Sequence, residues 1–371
     1  MDKNITALGL MSGTSMDGID ASLIRTDGEE FIDIIGNLYL KYDLELKNSL
    51  RDFSNKINSL NDLKKHQKEY ENLERKITIK HAEISTQICK KFKCKPQVIG
   101  FHGQTIIHKP EEKYTLQMGN GQLLCQLLKI DVVYQFRNND IKNGGQGAPL
   151  TPIYHHYLKK KLNLNNPVIF LNIGGIANYT YSKNDYFIAK DVGPGNCLMD
   201  FYINKTKKLD YDKDGQLASI GRIDSSLINS ILDQEYYNTL GKHSLDLKDF
   251  DINFVKGLSI EDALANLNFF TAKVISEKIN NEIKDDFVVI LCGGGRKNKT
   301  LVSNLRSLIN HNFYKIDDFN IDGDFIESQA FAYLSVRSLY KKNISFPETT
   351  KINKPLSGGE LITFLKIKKI L

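Results

Sequence analysis

The chain has 371 residues, of which 41% are apolar, 25% charged and 10% aromatic. That is the make-up of a globular protein with a substantial core, which excludes a disordered tail or a fibre. Lys and Arg outnumber Asp and Glu by 50 to 44, a formal charge of +6, giving little support to a nucleic-acid partner and suiting an acidic small molecule equally well.

The length predicts about two domains. The cysteines, Cys89, Cys94, Cys125, Cys197 and Cys292, form an odd set without a CxxC pair, which argues against a disulfide framework and a four-cysteine zinc site and points to a reducing compartment. No apolar run approaches the ~18 residues of a membrane helix, and the N-terminus lacks a basic region followed by an apolar stretch. The expectation is a cytoplasmic protein with no membrane partner.

Ile5 to Met11 reads as a buried strand, followed by the loop Ser12-Gly13-Thr14-Ser15-Met16-Asp17-Gly18 and a returning strand from Ile19 to Arg25. Helical spacing follows at Leu46, Leu50, Phe53, Ile57 and Leu60, then at Leu73, Ile77, Ile84 and Ile88, predicting two amphipathic helices with solvated charged faces. Val98 to Phe101 and Asp131 to Phe136 are short strands, the first ending at His102-Gly103-Gln104-Thr105 and the second running into Arg137. The glycine-rich loop 143–149 is the expected crossover, giving domains of 1–145 and 146–371, with the C-terminal segment free to return to the first. Val168 to Ile173, Gly174-Gly175 and Ile176 to Tyr181 repeat the opening strand-turn-strand pattern. A strand from Tyr186 to Lys190 ends at Asp191, before the turn 192–195 and a helix capped by Asn196. Phe287 to Cys292 is a strand stopping at Gly293-Gly294-Gly295, and a helix from about Ile326 to Tyr340 follows.

Three glycine-rich loops after strands let backbone N–H groups approach phosphate oxygens, and together they suggest a nucleotide. Each alone reads equally as a tight turn. No G-x-x-x-x-G-K-[ST] occurs and no G-x-G-x-x-G follows a strand, which disfavours a P-loop enzyme and a Rossmann dehydrogenase. Thr14 and Ser15 supply hydroxyls and Asp17 a carboxylate, a mixture suited to a polyphosphate and, through water, its Mg²⁺. Asp191 stands where a general base belongs, although a carboxylate satisfying turn amides reads as well from position alone. Asp324 and Glu327 have the spacing of a capping box. Arg137 could take a carboxylate bidentately or form an ordinary ion pair. No histidine has zinc-ligand spacing, and neither a Gly-x-Ser-x-Gly elbow nor a cysteine with a partner histidine appears, so zinc and a nucleophilic hydrolase find no support.

Seven ordered segments together resemble the anhydro-N-acetylmuramic acid kinase family: 9–20, 100–105, 136–137 with 144–150, 172–178, 191–196, 292–295 and 327–333. The resemblance implies an α/β protein of the actin-like ATPase (ribonuclease H-like) fold, with two domains around a nucleotide and substrate cleft. It also implies ATP with Mg²⁺ as cofactors, 1,6-anhydro-N-acetylmuramic acid as substrate, and a homodimer. Carried over, Asp191 is the general base that activates water, while Arg137, Glu327 and His102 bind the sugar. The nucleotide falls to Gly13, Thr14, Ser15, Met16, Asp17, Gly18, Ile19, Asp20, Gly174, Gly175, Gly293 and Gly294, with Asp17 reaching the metal through water. Two positions depart from the pattern: Val192 stands where the family usually has Thr, and Lys142 where a small residue is common. A plain kinase of a related amino sugar, or a nucleotide-dependent muramyl-sugar sensor without turnover, are the alternative readings.

Overall fold

A computed structural model describes residues 4–233 and 250–367. The chain divides into two compact units, one formed by residues up to Asn163 and from Phe325 onward, the other by Leu164–Asp324. The division therefore falls after residue 163, where the sequence suggested 145. The loop 143–149 is no free hinge: Gly147 N donates to Asp140 Oδ1 at 2.6 Å and Gln146 N to the Thr350 carbonyl at 2.7 Å. The following helix, Pro152–Lys161, is tied into the same unit by Tyr154 Oη donating to Gln329 Oε1 at 2.8 Å.

The sheet of the first unit is built from β1 (Ile5–Ser12), β2 (Gly18–Thr26), β3 (Ile32–Lys41), β4 (Val98–Lys109), β5 (Tyr114–Met118), β6 (Asp131–Tyr134) and β12 (Glu360–Ile362). Its order is β12-β6-β4-β1-β2-β3, with β5 on β4. Strands β1, β2 and β3 are antiparallel neighbours, while β4 and β6 continue parallel to β1. The second unit repeats the plan with β7 (Val168–Ile173), β8 (Ile176–Lys183), β9 (Tyr186–Pro194), β10 (Val288–Cys292) and β11 (Asn312–Lys315), in the order β11-β10-β7-β8-β9. Again three strands are antiparallel and two continue parallel to the first.

The central strands are covered on both faces, so they read as apolar runs and were visible in the sequence; every residue of β10 is buried. The strand β3 was not foreseen, because its residues are mostly half-buried and mix charge with apolar side chains. The helix Ile260–Glu282, capped by Ser259, was also missed, although it buries Leu264, Leu267, Phe270 and Ile275 in the core of the second unit. The helix Leu44–Lys56, capped by Asp43, buries Leu46, Leu50 and Phe53 as expected, and Gln67–Phe92 buries Leu73, Ile77, Ile84 and Ile88. Leu60 instead heads a separate short helix, Leu60–Lys65, and is exposed.

Two glycines set the depth of the helix Ile326–Leu339. A methyl group on Gly9 would stand 1.8 Å from the Ser328 carbonyl oxygen, and one on Gly100 2.1 Å from that of Phe331. Bare strands therefore let this helix lie directly on β1 and β4, which fixes where Glu327 and Phe331 emerge. Two β-bulges complete the frame. On β4 the register with β1 slips between Leu10 and Ser12, around His102 and Gly103, and on β9 Ala177 pairs with Gly193 while Asn178 pairs with Asp191, leaving Val192 as the extra residue. Bulges re-aim the side chains beside them, and here those side chains are His102 and Asp191. Both strands accordingly run past the ends the sequence suggested, to Lys109 and Pro194.

Candidate active site

In the first unit the connection between β1 and β2 presents Thr14 and Ser15 to solvent, half-exposes Gly13 and Asp17, and turns Met16, Gly18 and Ile19 inward. Asp20 is half-buried on β2, opposite Tyr39. The loop turns at Met16, whose N–H donates to the Gly13 carbonyl at 3.1 Å. Its base is stapled from behind. Ser12 Oγ lies 2.7 Å from Gln104 Oε1, 2.9 Å from the Gly18 carbonyl oxygen and 3.1 Å from the Tyr42 hydroxyl, while Gln104 Nε2 donates to the Gly13 carbonyl at 3.0 Å. Gln104 is fully buried, so this polar network works at low dielectric, where a satisfied network is rigid. Lys47, buried on the helix Leu44–Lys56, reaches the Asp17 carboxylate as an ion pair.

A second cluster of that unit forms around Arg137, the residue before the helix Asn138–Lys142. Its Nε and Nη2 point at His102 Nε2 from 3.1 and 2.9 Å, and its Nη1 donates to the Gly147 carbonyl at 2.8 Å. Burial pushes the guanidinium down to about 10, with Glu327 and Asp140 working against that loss, so Arg137 remains a cation at neutral pH. Glu327 is half-buried on the helix Ile326–Leu339, and burial raises its carboxyl above the ordinary 4.5 while Arg137 opposes the rise. The expected capping box does not form: the residue before this helix is Phe325, without a side-chain cap, and Asp324 pairs with Arg296 instead.

In the second unit Asp191 is half-buried beside the bulge of β9, and Val192 points into the apolar core. The turn Gly174-Gly175 is held by backbone: the N–H groups of Gly195 and Cys197 donate to the Gly175 carbonyl at 2.8 and 3.1 Å, and that of Asn196 to the Gly174 carbonyl at 2.8 Å. Asn196 does precede the helix Cys197–Lys207, but its side chain caps nothing and donates to the Ile173 carbonyl at 3.3 Å. The loop 293–295 is pinned by Arg296, 2% exposed, which donates to the Gly293 carbonyl at 2.9 Å, to both oxygens of Asp317 at 2.7 and 2.9 Å and to Asp324 at 2.7 Å. Burial works against this charge, but the hydrogen bonds of Asp317 and Asp324 hold the guanidinium above its ordinary value.

The glycines of these loops fall into two sorts. Added methyl groups on Gly18, Gly195 and Gly295 would stand 2.4, 2.2 and 2.2 Å from neighbouring atoms, and Gly293 has a φ of +72°. These glycines are explained by the fold. Methyl groups on Gly13, Gly174, Gly175 and Gly294 would meet nothing nearer than 3.5 Å, and none of the four is in the left-handed region. Neither packing nor backbone geometry requires them, whereas a ligand approaching the main chain would.

Sequence reasoning missed Ser12, Tyr42, Lys47, Gln104 and Arg296 as parts of the site. The signals were present for two of them: Gln104 follows a His-Gly pair, and Arg296 directly follows three glycines. Among the described residues no group of three or more His, Cys, Asp and Glu could hold a metal ion, and no helix is long and apolar enough to cross a membrane. A single half-exposed Asp17 fits a cation that keeps its waters and takes its other ligands from phosphate, as Mg²⁺ does.

Two sheets of the same ribonuclease H-like order, each with a bare glycine turn after its first strand, make this an α/β protein of the actin-like ATPase fold. The family model described as "Anhydro-N-acetylmuramic acid kinase" matches residues 5–363, and the chain belongs to that family. A relative of that name from Pelagibacter ubique (strain HTCC1062) is 48% identical over 98% of this chain and 99% of its own length. Relatives of the same name from Zymomonas mobilis and Rhizobium etli are each 38% identical, over 96% and 98% of this chain and 99% and 100% of their own lengths.

Proposed function

We propose that this kinase uses ATP and water to open 1,6-anhydro-N-acetylmuramic acid and to phosphorylate O6, giving N-acetylmuramic acid 6-phosphate and ADP. The observation that carries the nucleotide half of the reading is the set of glycines, Gly13, Gly174, Gly175 and Gly294, that nothing inside the protein requires. Main-chain N–H groups at Gly13, with the hydroxyls of Thr14 and Ser15, in the first unit, and at Gly174, Gly175 and Gly294 in the second, are donors for phosphate oxygens. Asp17, paired with Lys47, would hold Mg²⁺ through water, and bound Mg²⁺ would supply positive charge to the γ-phosphoryl group.

In the anhydro sugar O6 carries no proton and is tied to C1, so it is a poor nucleophile until that bond weakens. Asp191 accepts a proton from the water that attacks C1, the C1–O6 bond breaks, and its electron pair passes to O6. O6 then attacks the γ-phosphorus and ADP leaves. Arg137 meets the lactyl carboxylate, and Glu327 accepts from a sugar hydroxyl. The reading places the reaction in the recycling of cell-wall sugars in the cytoplasm. It includes a homodimer, and a single-protomer mass in sedimentation at micromolar concentration would remove that element.

Replacing Asp191 tests the assignment of the base. Asp191→Asn is expected to lower turnover by about 10²–10⁴, the range for a general base, while ATP binds as before. Turnover within a few-fold of the unmodified enzyme would take Asp191 out of the mechanism.

A further inference from the structure

We propose that His102 is a positioning residue: its imidazole fixes the guanidinium of Arg137, and the preference for a carboxylate-bearing sugar passes through it. This rests on the reading of Arg137 as the group that meets the lactyl carboxylate.

The hydrogen-bond chemistry leaves one arrangement for the ring. His102 Nδ1 lies 2.9 Å from the Gly103 carbonyl oxygen, which can only accept, so Nδ1 carries the proton. Arg137 Nε and Nη2 can only donate, so Nε2, at 3.1 and 2.9 Å from them, offers its lone pair. Both partners thus select the same neutral tautomer. Burial, and after it the charge of Arg137, hold the imidazole well below its ordinary 6.5, so the acceptor is kept throughout the neutral range. The ring is held in place by Phe331, with centroids 4.5 Å apart, and by the bulge at Gly103, whose φ of +75° turns its carbonyl back to Nδ1.

With both ring nitrogens engaged and the residue 4% exposed, His102 has no polar atom left for a ligand. Its effect lies in what it leaves free on Arg137. A guanidinium has five N–H groups. His102 takes Nε–H and one of Nη2, and Gly147 takes one of Nη1. One N–H remains on each terminal nitrogen, two donors for a carboxylate. Without the imidazole the Nε edge is no longer anchored, and the side chain turns about its long axis.

The test uses the full chain and two sugars: 1,6-anhydro-N-acetylmuramic acid, and 1,6-anhydro-N-acetylglucosamine, which has the same bicyclic ring and no lactyl carboxylate. Calorimetry is run on His102→Leu, His102→Gln, Arg137→Ala and the double variant His102→Leu/Arg137→Ala. His102→Leu is expected to weaken the carboxylate sugar about tenfold, with ATP and the glucosamine analogue unchanged. His102→Gln, whose side-chain oxygen reaches close to the Nε2 position, recovers most of the loss, and the double variant is no weaker than Arg137→Ala. Unmodified affinity in His102→Leu beside a weak Arg137→Ala overturns the role of His102 alone. So do equal losses for both sugars, or losses that add in the double variant. Unmodified affinity in Arg137→Ala overturns the assignment of Arg137, and the inference falls with it. Should His102→Leu not fold, His102→Asn, with its amide at shorter reach, carries the same expectations.

Discussion

The two sheets have one strand order but hold their first turns by different means. Between β1 and β2 the loop is stapled by side chains, Ser12, Gln104 and Tyr42, with Lys47 on Asp17. Between β7 and β8 the corresponding turn is held by main-chain N–H groups of residues 195–197. The same plan thus yields one turn that conservative side-chain changes can loosen, and one that answers mainly to backbone crowding. In both, the glycines with open space at the Cβ position stand apart from those the fold needs.

That contrast breaks most sharply at Gly195 and Gly175. A methyl group on Gly195 would stand 2.2 Å from the Gly174 carbonyl oxygen, whereas on Gly175 it would meet nothing nearer than 4.0 Å. Gly195→Ala is expected to destabilise by about 1–3 kcal/mol or more, as overpacking does. Gly175→Ala changes stability by no more than about 1 kcal/mol, in the stabilising direction, yet weakens ATP. Urea titration beside ATP calorimetry checks both, and equal destabilisation by the two substitutions would erase the distinction.

A smaller effect tests the stapled loop. Gln104→Met removes one donor to the Gly13 carbonyl and one acceptor beside Ser12; these keep the Met16 N–H and the Gly18 carbonyl as partners, so the cost is that of the bonds lost, about 0.5–1.5 kcal/mol each. ATP affinity is expected to fall with it. Full affinity with unchanged stability would mean that the network is idle.

The weakest effect lies with acid. Asp317 is held below its ordinary 3.8 by Arg296, so its contribution is present above that value and lost as pH falls through the lower folded value. Its side chain is 42% exposed, so solvent screens the pair and the effect is modest. Melting curves taken from neutral pH down to pH 3 should show Arg296→Met flattening the acid limb. A parallel loss in both proteins would place the acid sensitivity elsewhere.

Much of the frame was legible because its central strands are buried on both faces and its glycine turns punctuate them. The strand β3 escaped, since the exposed Asp33 and the half-buried Asn37 interrupt its apolar pattern. The helix Ile260–Glu282 escaped as well, although its apolar residues are buried as deeply as those of the helices that were read. Asp191 and Arg137 could be named from their places at strand ends, but not their settings. The bulge beside Asp191 depends on register against β8, and the imidazole behind Arg137 comes from a residue 35 positions away in sequence. Asp324 and Glu327 had cap spacing, but a buried arginine competes better for Asp324 than a helix end does.

In the proposed reaction, ring opening by water and phosphoryl transfer to O6 occur on one enzyme in one sequence. Incubation with Mg-ATP and 1,6-anhydro-N-acetylmuramic acid in ¹⁸O-labelled water, followed by mass spectrometry of the sugar, tests it directly. The expected product is a phosphorylated sugar carrying one ¹⁸O. A phosphorylated sugar without the label would contradict the attack of water on C1, and binding of both ligands with no phosphorylated product would leave a sensor in place of a kinase.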